Sequence, residues 1–309
     1  MTIHHGVENL KLTLPVVTLG IFDGVHLGHK ALLQSLVSRA QENKGDSVVI
    51  TFNPHPRMIL PCKNEDFSLL TTLDEKKRLM ESLRIGHLII IQFNREFSKL
   101  SARDFIEKII VDRIKTRHLI IGHDHRFGKH GEGDYHTIHK CGESFGFRVE
   151  QIAQIYTAEG IISSSSIRDA LLSGKLDIAN KWLGYNYSLS GKIVKGRQLG
   201  RSLGFPTANI RPEDKNKLIP KDGVYAVEVQ TESEFKPGML SIGTNPTISK
   251  TTTRRSIEVH IFDFERNIYD REIKVIFRYR LRDEIKFKNT EQLTEQIKLD
   301  KQHAMRLLT

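Results

Sequence analysis

The sequence predicts an α/β plus β protein: an open parallel sheet in the first half, then an antiparallel β-barrel with a terminal helix. Three observations predict it. Up to Gln151, short β-branched runs alternate with longer amphipathic stretches. After Tyr185, short strands follow one another between Gly, Pro and Asn turns. The last stretch takes up a helical period at Leu293, Ile297, Ala304 and Leu307.

Each element follows from its residues. Runs at 16–19, 48–52, 88–91, 118–121 and 147–150 read as strands. Helical patterns at 27–41, 74–83, 101–114 and 134–144 separate them, as parallel strands joined by right-handed crossovers require. Two more helices, 165–172 and 176–183, stop at Gly174 and Gly184. Strands are then expected at 189–194, 224–229, 239–242, 257–262 and 273–279, and a helix at 289–306. The domains are expected to be 1–184 and 185–309.

Composition excludes several classes. Of 309 residues, 39% are apolar and 27% charged, so the chain is not disordered. No apolar run is longer than the four residues of Leu88 to Ile91, far short of a membrane helix. The start, Met1 to Leu10, is polar, so no secretory leader is expected. Cys62 and Cys141 are too few for a disulfide framework or a metal motif. A cytoplasmic protein is expected.

The net charge of +10 raises nucleic acid as a partner. No block of five or six Lys/Arg appears, and no aromatic platform with interleaved basic residues. Residues 1–184 carry 24 basic and 21 acidic side chains, and 185–309 carry 23 and 16. The surplus therefore lies in the second half, partly in a glycine-rich segment. Small phosphorylated ligands account for it better, and neither nucleic acid nor membrane is expected as a partner.

The first constellation, Gly20-Ile21-Phe22-Asp23-Gly24-Val25-His26-Leu27-Gly28-His29, lies between the first strand and the first helix. Open α/β sheets bind ligands beyond the carboxyl ends of their strands. A helix N-terminus there offers free N–H groups and a positive dipole end to an anion. Gly20 and Gly24 let the backbone turn and approach a phosphate. His26 and His29, three apart, can share one side of the first helical turn. Their imidazoles can donate to phosphate oxygens as charge grows in a transition state.

A second histidine-rich stretch, His123 to His139, invites a metal reading. Its spacing matches no zinc pattern, and a solvated loop near a ligand fits better.

The second constellation runs from Gly191 through Gly196, Gly200 and Gly204 to Phe205-Pro206-Thr207-Ala208-Asn209. A glycine-rich loop can wrap a polyphosphate with its own N–H groups. Thr207 and Asn209, two apart in an extended segment, point hard oxygen donors to one side. Mg²⁺ takes few protein oxygens together with substrate phosphates.

The His-x-Gly-His string resembles the nucleotidylyltransferase superfamily, a Rossmann-like fold. More closely, 20–29 resembles its FAD synthetase branch. So do Thr51-Phe52-Asn53-Pro54-His55-Pro56, Ile121-Gly122-His123-Asp124-His125-Arg126-Phe127-Gly128 and Ser163-Ser164-Ser165-Ser166-Ile167-Arg168. The Gly-Phe-Pro-Thr-Ala-Asn string resembles riboflavin kinase, as do 223–225, 242–247, 256–263 and 280–287. Together the likeness is to the bacterial bifunctional riboflavin kinase and FAD synthetase family, over roughly 16–304.

That resemblance implies a kinase module converting riboflavin to FMN with ATP and Mg²⁺. It implies an adenylyltransferase module turning FMN and ATP into FAD and pyrophosphate. A kinase with a weakened second module is the alternative. By resemblance, His26, His29 and Glu258 are catalytic, with His260 a lesser alternative to Glu258 as base. Gly20, Phe22, Asp23, Gly24, Ser165, Arg168, Gly196, Gly200, Gly204 and Thr207 would bind nucleotide. Asn53, His55, Asp124, Arg280 and Glu284 would bind flavin, and Thr207 with Asn209 would hold Mg²⁺. One departure stands out: Ser166 occupies the place of a family arginine, leaving Arg126 or Lys129 as compensating cations. A monomer or weak homo-oligomer is expected.

Overall fold

A computed structural model describes the chain except for residues 61–66, 197–202, 233 and 246–253. It divides into two compact units, Met1–Ser164 and Ser165–Thr309.

The first unit is a six-stranded parallel sheet. Its strands are β1 (Thr2–His5), β2 (Val16–Leu19), β3 (Ser47–Asn53), β4 (His87–Gln92), β5 (His118–Gly122) and β6 (Arg148–Ile152), in the order β1-β4-β3-β2-β5-β6. The helices are α1 (Leu27–Glu42), α2 (Pro56–Ile59), α3 (Leu73–Ser82), α4 from Ala102 and α5 (Tyr135–Phe145). Two apolar layers follow from the alternation of side chains across the sheet. Val17, Leu19, Val48 and Ile50 pack under α4 and α5, while Val16, Val49, Leu88 and Ile120 pack under α1 and α3.

The chain moves from β2 toward β3 and β4 on one side and returns to β5 and β6 on the other. The switch point therefore lies between β2 and β5, where open sheets place ligands.

The expected strands and helices of this unit are present. Edge strand β1 was not expected, because Thr-Ile-His-His is polar and mostly exposed and shows no alternation. The expected helix at 101–114 is an α-turn, Ala102–Phe105, that widens into a π-helical turn at Ile106–Val111.

The second unit begins at Ser165, within α6 (Ser164–Leu172), and continues into α7 (Leu176–Leu183). The six strands are β9 (Ser188–Val194), β10 (Ala208–Pro212), β11 (Gly223–Gln230), β12 (Phe235–Asn245), β13 (Arg254–Ile261) and β14 (Glu272–Arg282). They close an antiparallel barrel in the order β10-β13-β12-β11-β14-β9. A small hairpin, β7 (Tyr156–Thr157) and β8 (Gly160–Ile161), precedes α6 in the first unit.

Tyr225, Val227, Leu240, Val275 and Phe277 fill the barrel and are fully buried. Residue 226 on the opposite face of β11 is buried too, because α8 (Thr290–Leu308) packs there through Ala304 and Ile297. Helices α6 and α7 belong with the barrel: Lys221 N donates to Leu171 O at 3.0 Å and Asn180 Nδ2 to Phe277 O at 3.1 Å. Five of the six strands were expected. The sixth, β10, begins within the Thr-Ala-Asn string, at Ala208.

Candidate active sites

The turn between β2 and α1 is backbone under strain. Phe22 and Val25 hold φ of 52° and 36°, beside Gly24 at 82°. A β-branched residue at positive φ persists only where its surroundings over-determine it. They do so here. Phe22 and Val25 are buried. The Asp23 carboxylate accepts from Leu70 N and Thr71 N, both at 3.0 Å. Gly24 N donates to Thr71 Oγ1 at 3.0 Å, and Ser164 Oγ donates to Asp23 O at 2.8 Å.

His26 is the N-cap of α1, and its Nδ1 accepts from His29 N at 3.3 Å. That bond leaves the proton of a neutral ring on Nε2. The two imidazoles stack, with centroids 3.7 Å apart and planes 18° apart. Gly28 makes room for this, since a Cβ there would lie 3.2 Å from the His26 ring. The His29 ring also meets the edge of Phe22, and its Nδ1 is buried with no hydrogen-bond partner. Burial first, then the nearby His26 and Lys76, hold His29 well below the ordinary histidine range, so it is neutral near pH 7. The arrangement offers an anion a helix N-terminus and two stacked imidazole rings.

Lys76 lies under the same turn on α3 and is 6% exposed. Its Nζ donates to Ile21 O at 2.6 Å and to Thr51 Oγ1 at 3.4 Å. Burial lowers it to about 8, against the pull of Asp23.

Because the strands are parallel, their carboxyl ends share one edge of the sheet. Asn53 closes β3, His55 caps α2 with its Nδ1 accepting from Arg57 N at 3.1 Å, and exposed Asp124 follows β5. His55 also packs on Phe67, with centroids 4.3 Å apart. In the loop after β5, His125 stacks on Phe127 and burial lowers it to about 4. Among the described residues no group of three His, Cys, Asp or Glu could hold a metal. Arg126 is exposed and within 3.5 Å of Asp134.

The barrel carries a second cluster. Thr207 Oγ1 donates to Glu258 Oε2 at 3.1 Å, and Asn209 pairs directly across from Glu258 between β10 and β13. A Cβ at Gly196 would collide with the Asn209 amide, so that glycine makes room for it. Two cavities flank the cluster. One, of about 480 Å³, is walled by Pro206, Thr207, Phe264 and Tyr269. The other, of about 320 Å³, is walled by Phe205, Thr207, Glu258, Arg282 and Phe287. Thr207 belongs to both. His260 fixes the approach, with its Nδ1 2.8 Å from Pro206 O.

Comparison with known proteins matches a family to each half of the chain. The family model described as FAD synthetase matches residues 10–166, and that described as riboflavin kinase matches residues 183–308. A Buchnera aphidicola protein named bifunctional riboflavin kinase/FMN adenylyltransferase is 37% identical over 305 residues, covering 97% of this chain and 96% of its own. A Bacillus subtilis protein of the same name is 37% identical over 306 residues, covering 98% and 95%. This chain belongs to the bifunctional riboflavin kinase/FMN adenylyltransferase family.

A solved structure from Streptococcus pneumoniae, described as a macrolide-efflux protein, superposes with a TM-score of 0.89 at 29% identity over 99% of both chains. Among the described residues of the present chain, no helix is long and apolar enough to cross a membrane.

The structure brings some of the residues singled out in the sequence together and leaves others apart. His26 and His29 come together, and so do Thr207, Asn209 and Glu258. Asp23 faces the backbone of residues 70 and 71 rather than open solvent, which makes it an anchor of the turn. Arg280 is not among the residues lining the second cavity. Its Nη2 donates to Asp222 O at 2.9 Å and Asp283 Oδ1 at 2.7 Å, and Gly174 approaches its Nε. Arg282 and Glu284 line that cavity instead, and Arg282 is held by buried Asp300 of α8 at 2.7 Å. Ser165 and Arg168 lie on α6, in the second compact unit. Gly204 holds φ of 83°, and Gly200 lies outside the described residues, as do Arg197, Arg201 and Thr247.

Lys76, Thr71 and Asp300 escaped the sequence reading. A signal existed for Lys76. It stands three after Leu73 and four before buried Met80, on the apolar face of α3, where a lysine needs a reason.

Proposed function

We propose that the chain makes both flavin cofactors: it phosphorylates riboflavin to FMN, then transfers AMP from ATP to FMN, releasing pyrophosphate. The observation that carries the reading is that each family match contains a polar cluster suited to phosphate chemistry, His26 with His29 in one and Thr207, Asn209 and Glu258 in the other. Both modules are present, so a kinase with a lost second activity is not favoured.

In the barrel, the 480 Å³ cavity takes ATP and the 320 Å³ cavity takes the flavin ring, with Thr207 between them. Glu258 accepts the proton of the riboflavin primary hydroxyl as that oxygen attacks the γ-phosphorus and ADP leaves. Thr207 keeps the carboxylate aimed through its hydrogen bond. Arg282 and Glu284 orient the flavin, with Asp300 bracing Arg282. The oxygens of Thr207 and Asn209 are hard donors two residues apart, which suits Mg²⁺. When bound there, Mg²⁺ would neutralise phosphate charge.

In the parallel-sheet module, an FMN phosphate oxygen attacks the α-phosphorus of ATP and pyrophosphate leaves. His26 and His29 donate to the phosphate oxygens as charge builds there. Gly20, Phe22 and Gly24 give the turn its shape. Asn53, His55 and Asp124, on the same sheet edge, bind FMN. Ser165 and Arg168 are assigned to the ATP phosphates by resemblance, and Gly196 and Gly204 to the kinase nucleotide. The two activities are assigned to 1–184 and 185–309, and a monomer suffices for both.

The test is product analysis. Riboflavin, ATP and Mg²⁺ incubated with the enzyme should give FMN and then FAD by chromatography. Accumulation of FMN alone, with ATP in excess, would leave only the kinase.

A further inference from the structure

We infer that Lys76 is a positioning residue for adenylyl transfer: its ammonium grips the Ile21 carbonyl beneath the phosphate turn and sets a positive charge beside His29. The inference rests on the adenylyltransferase reading above.

The geometry is that of a clamp. Ile21 O accepts from Lys76 Nζ at 2.6 Å and from Thr51 Oγ1 at 3.1 Å. One carbonyl at the head of the turn is thus tied to α3 and to β3 at once. Phe22 follows it directly and Val25 stands four residues on, the two non-glycine residues of this turn at positive φ. A strained turn relaxes unless it is held, and this bond holds it at its first residue.

A neutral donor would serve if holding the carbonyl were the whole task. Burying an ammonium is unfavourable unless a charge answers it. Among the described residues Lys76 forms no ion pair with a carboxylate. Its hydrogen bonds go to a carbonyl and a hydroxyl, and a third N–H remains. The titratable groups that act on it are Asp23 of the turn and His29 of α1, with His26 stacked behind His29. On its own helix the neighbour is buried Glu75. The charge therefore faces a site made to receive an anion. With ATP bound, the triphosphate supplies the answering charge, and the His29 ring stays a neutral donor.

The experiment compares wild type with Lys76→Met and Lys76→Gln in FAD formation from supplied FMN and ATP. The expected loss in kcat is about tenfold or more, as for a missing preorganised charge, with KM for FMN within about twofold. The pH profile separates this from a structural role. In wild type, kcat/KM should fall as pH rises past about 8, where free Lys76 loses its proton. That limb should vanish in Lys76→Met, leaving a lower, flatter profile.

Hydrogen exchange of β2 and β3 should match wild type in both variants. Loss of that protection in both, in step with activity, would overturn the proposal and leave Lys76 a fold element only. Full activity in Lys76→Met, or an unchanged alkaline limb, would overturn it as well. Should wild type itself make FMN but no FAD, the adenylyltransferase reading fails, and the role of Lys76 with it.

Discussion

The two candidate sites are built from opposite materials. In the parallel sheet the donors are a helix N-terminus and two stacked imidazoles, and the charged groups, Asp23 and Lys76, stand behind the turn. In the barrel, hydroxyl, amide and carboxylate oxygens cluster at two paired strands, with Thr207 just before β10 and Asn209 on it, against Glu258 of β13. The first set donates hydrogen bonds to an anion. The second accepts a proton and suits a cation. The difference matches the chemistry proposed for each. Adenylyl transfer needs donors around an α-phosphate that a phosphate already attacks. Phosphorylation of an alcohol needs a base and charge neutralisation. The difference also extends to backbone: the imidazole site sits on a strained turn, the oxygen site on regular strands.

The largest expected effect breaks the barrel side alone. Glu258→Gln keeps the shape and a partner for Thr207 but removes the base, and FMN formation should fall by roughly 10²–10⁴. FAD formation from supplied FMN should persist, as read by chromatography. Next is the imidazole side. Replacing His26 and His29 together by Ala should lower FAD formation by about 10²–10³, with riboflavin phosphorylation retained. Equal loss of both activities in either variant would erase the contrast.

A smaller effect tests whether the barrel site depends on close approach. A Cβ at Gly196 would lie 2.7 Å from Asn209 Cγ, so Gly196→Ala must move the amide. Misplacing one such group should slow FMN formation about tenfold, and added Mg²⁺ should restore part of it. No change would separate Asn209 from metal binding.

The smallest effect concerns acid. His4, His29, His118 and His125 of the first unit are all held below 6.5 by burial, His125 at about 4, against His260 in the second. A histidine kept neutral when folded charges on unfolding. As pH falls below 6.5, the unfolded state binds more protons and stability drops, until the folded values are reached. Scanning calorimetry should find the first unit losing several degrees more than the second between neutral pH and pH 5. A larger loss in the barrel would contradict the assignment.

What the sequence made legible follows from how local each signal was. Buried parallel strands are apolar throughout, so β2 to β5 stood out. Strand β1 is short, polar and at an edge, and only its pairing with β4 creates it. In the barrel, β10 went unseen because its residues read as a motif, although an alternating segment such as Thr207 and Asn209 is also what a strand requires. The paired histidines and the Thr, Asn and Glu set were visible because each residue type carries its own chemistry at a short spacing. Lys76 and Thr71 act across 47 or more residues and Asp300 across 18, and no local pattern records such contacts. Arg280 and Arg282 differ by two positions on β14, yet one bonds to Asp222 and the other to Asp300.

The most direct measurement supplies riboflavin, ATP and Mg²⁺ to Glu258→Gln, to the His26/His29 double variant, and to the two mixed in one tube. The account predicts little product from the first alone, FMN without FAD from the second, and FAD from the mixture. FAD from the double variant alone, or a mixture that stops at FMN, would contradict two separate sites with separate chemistry.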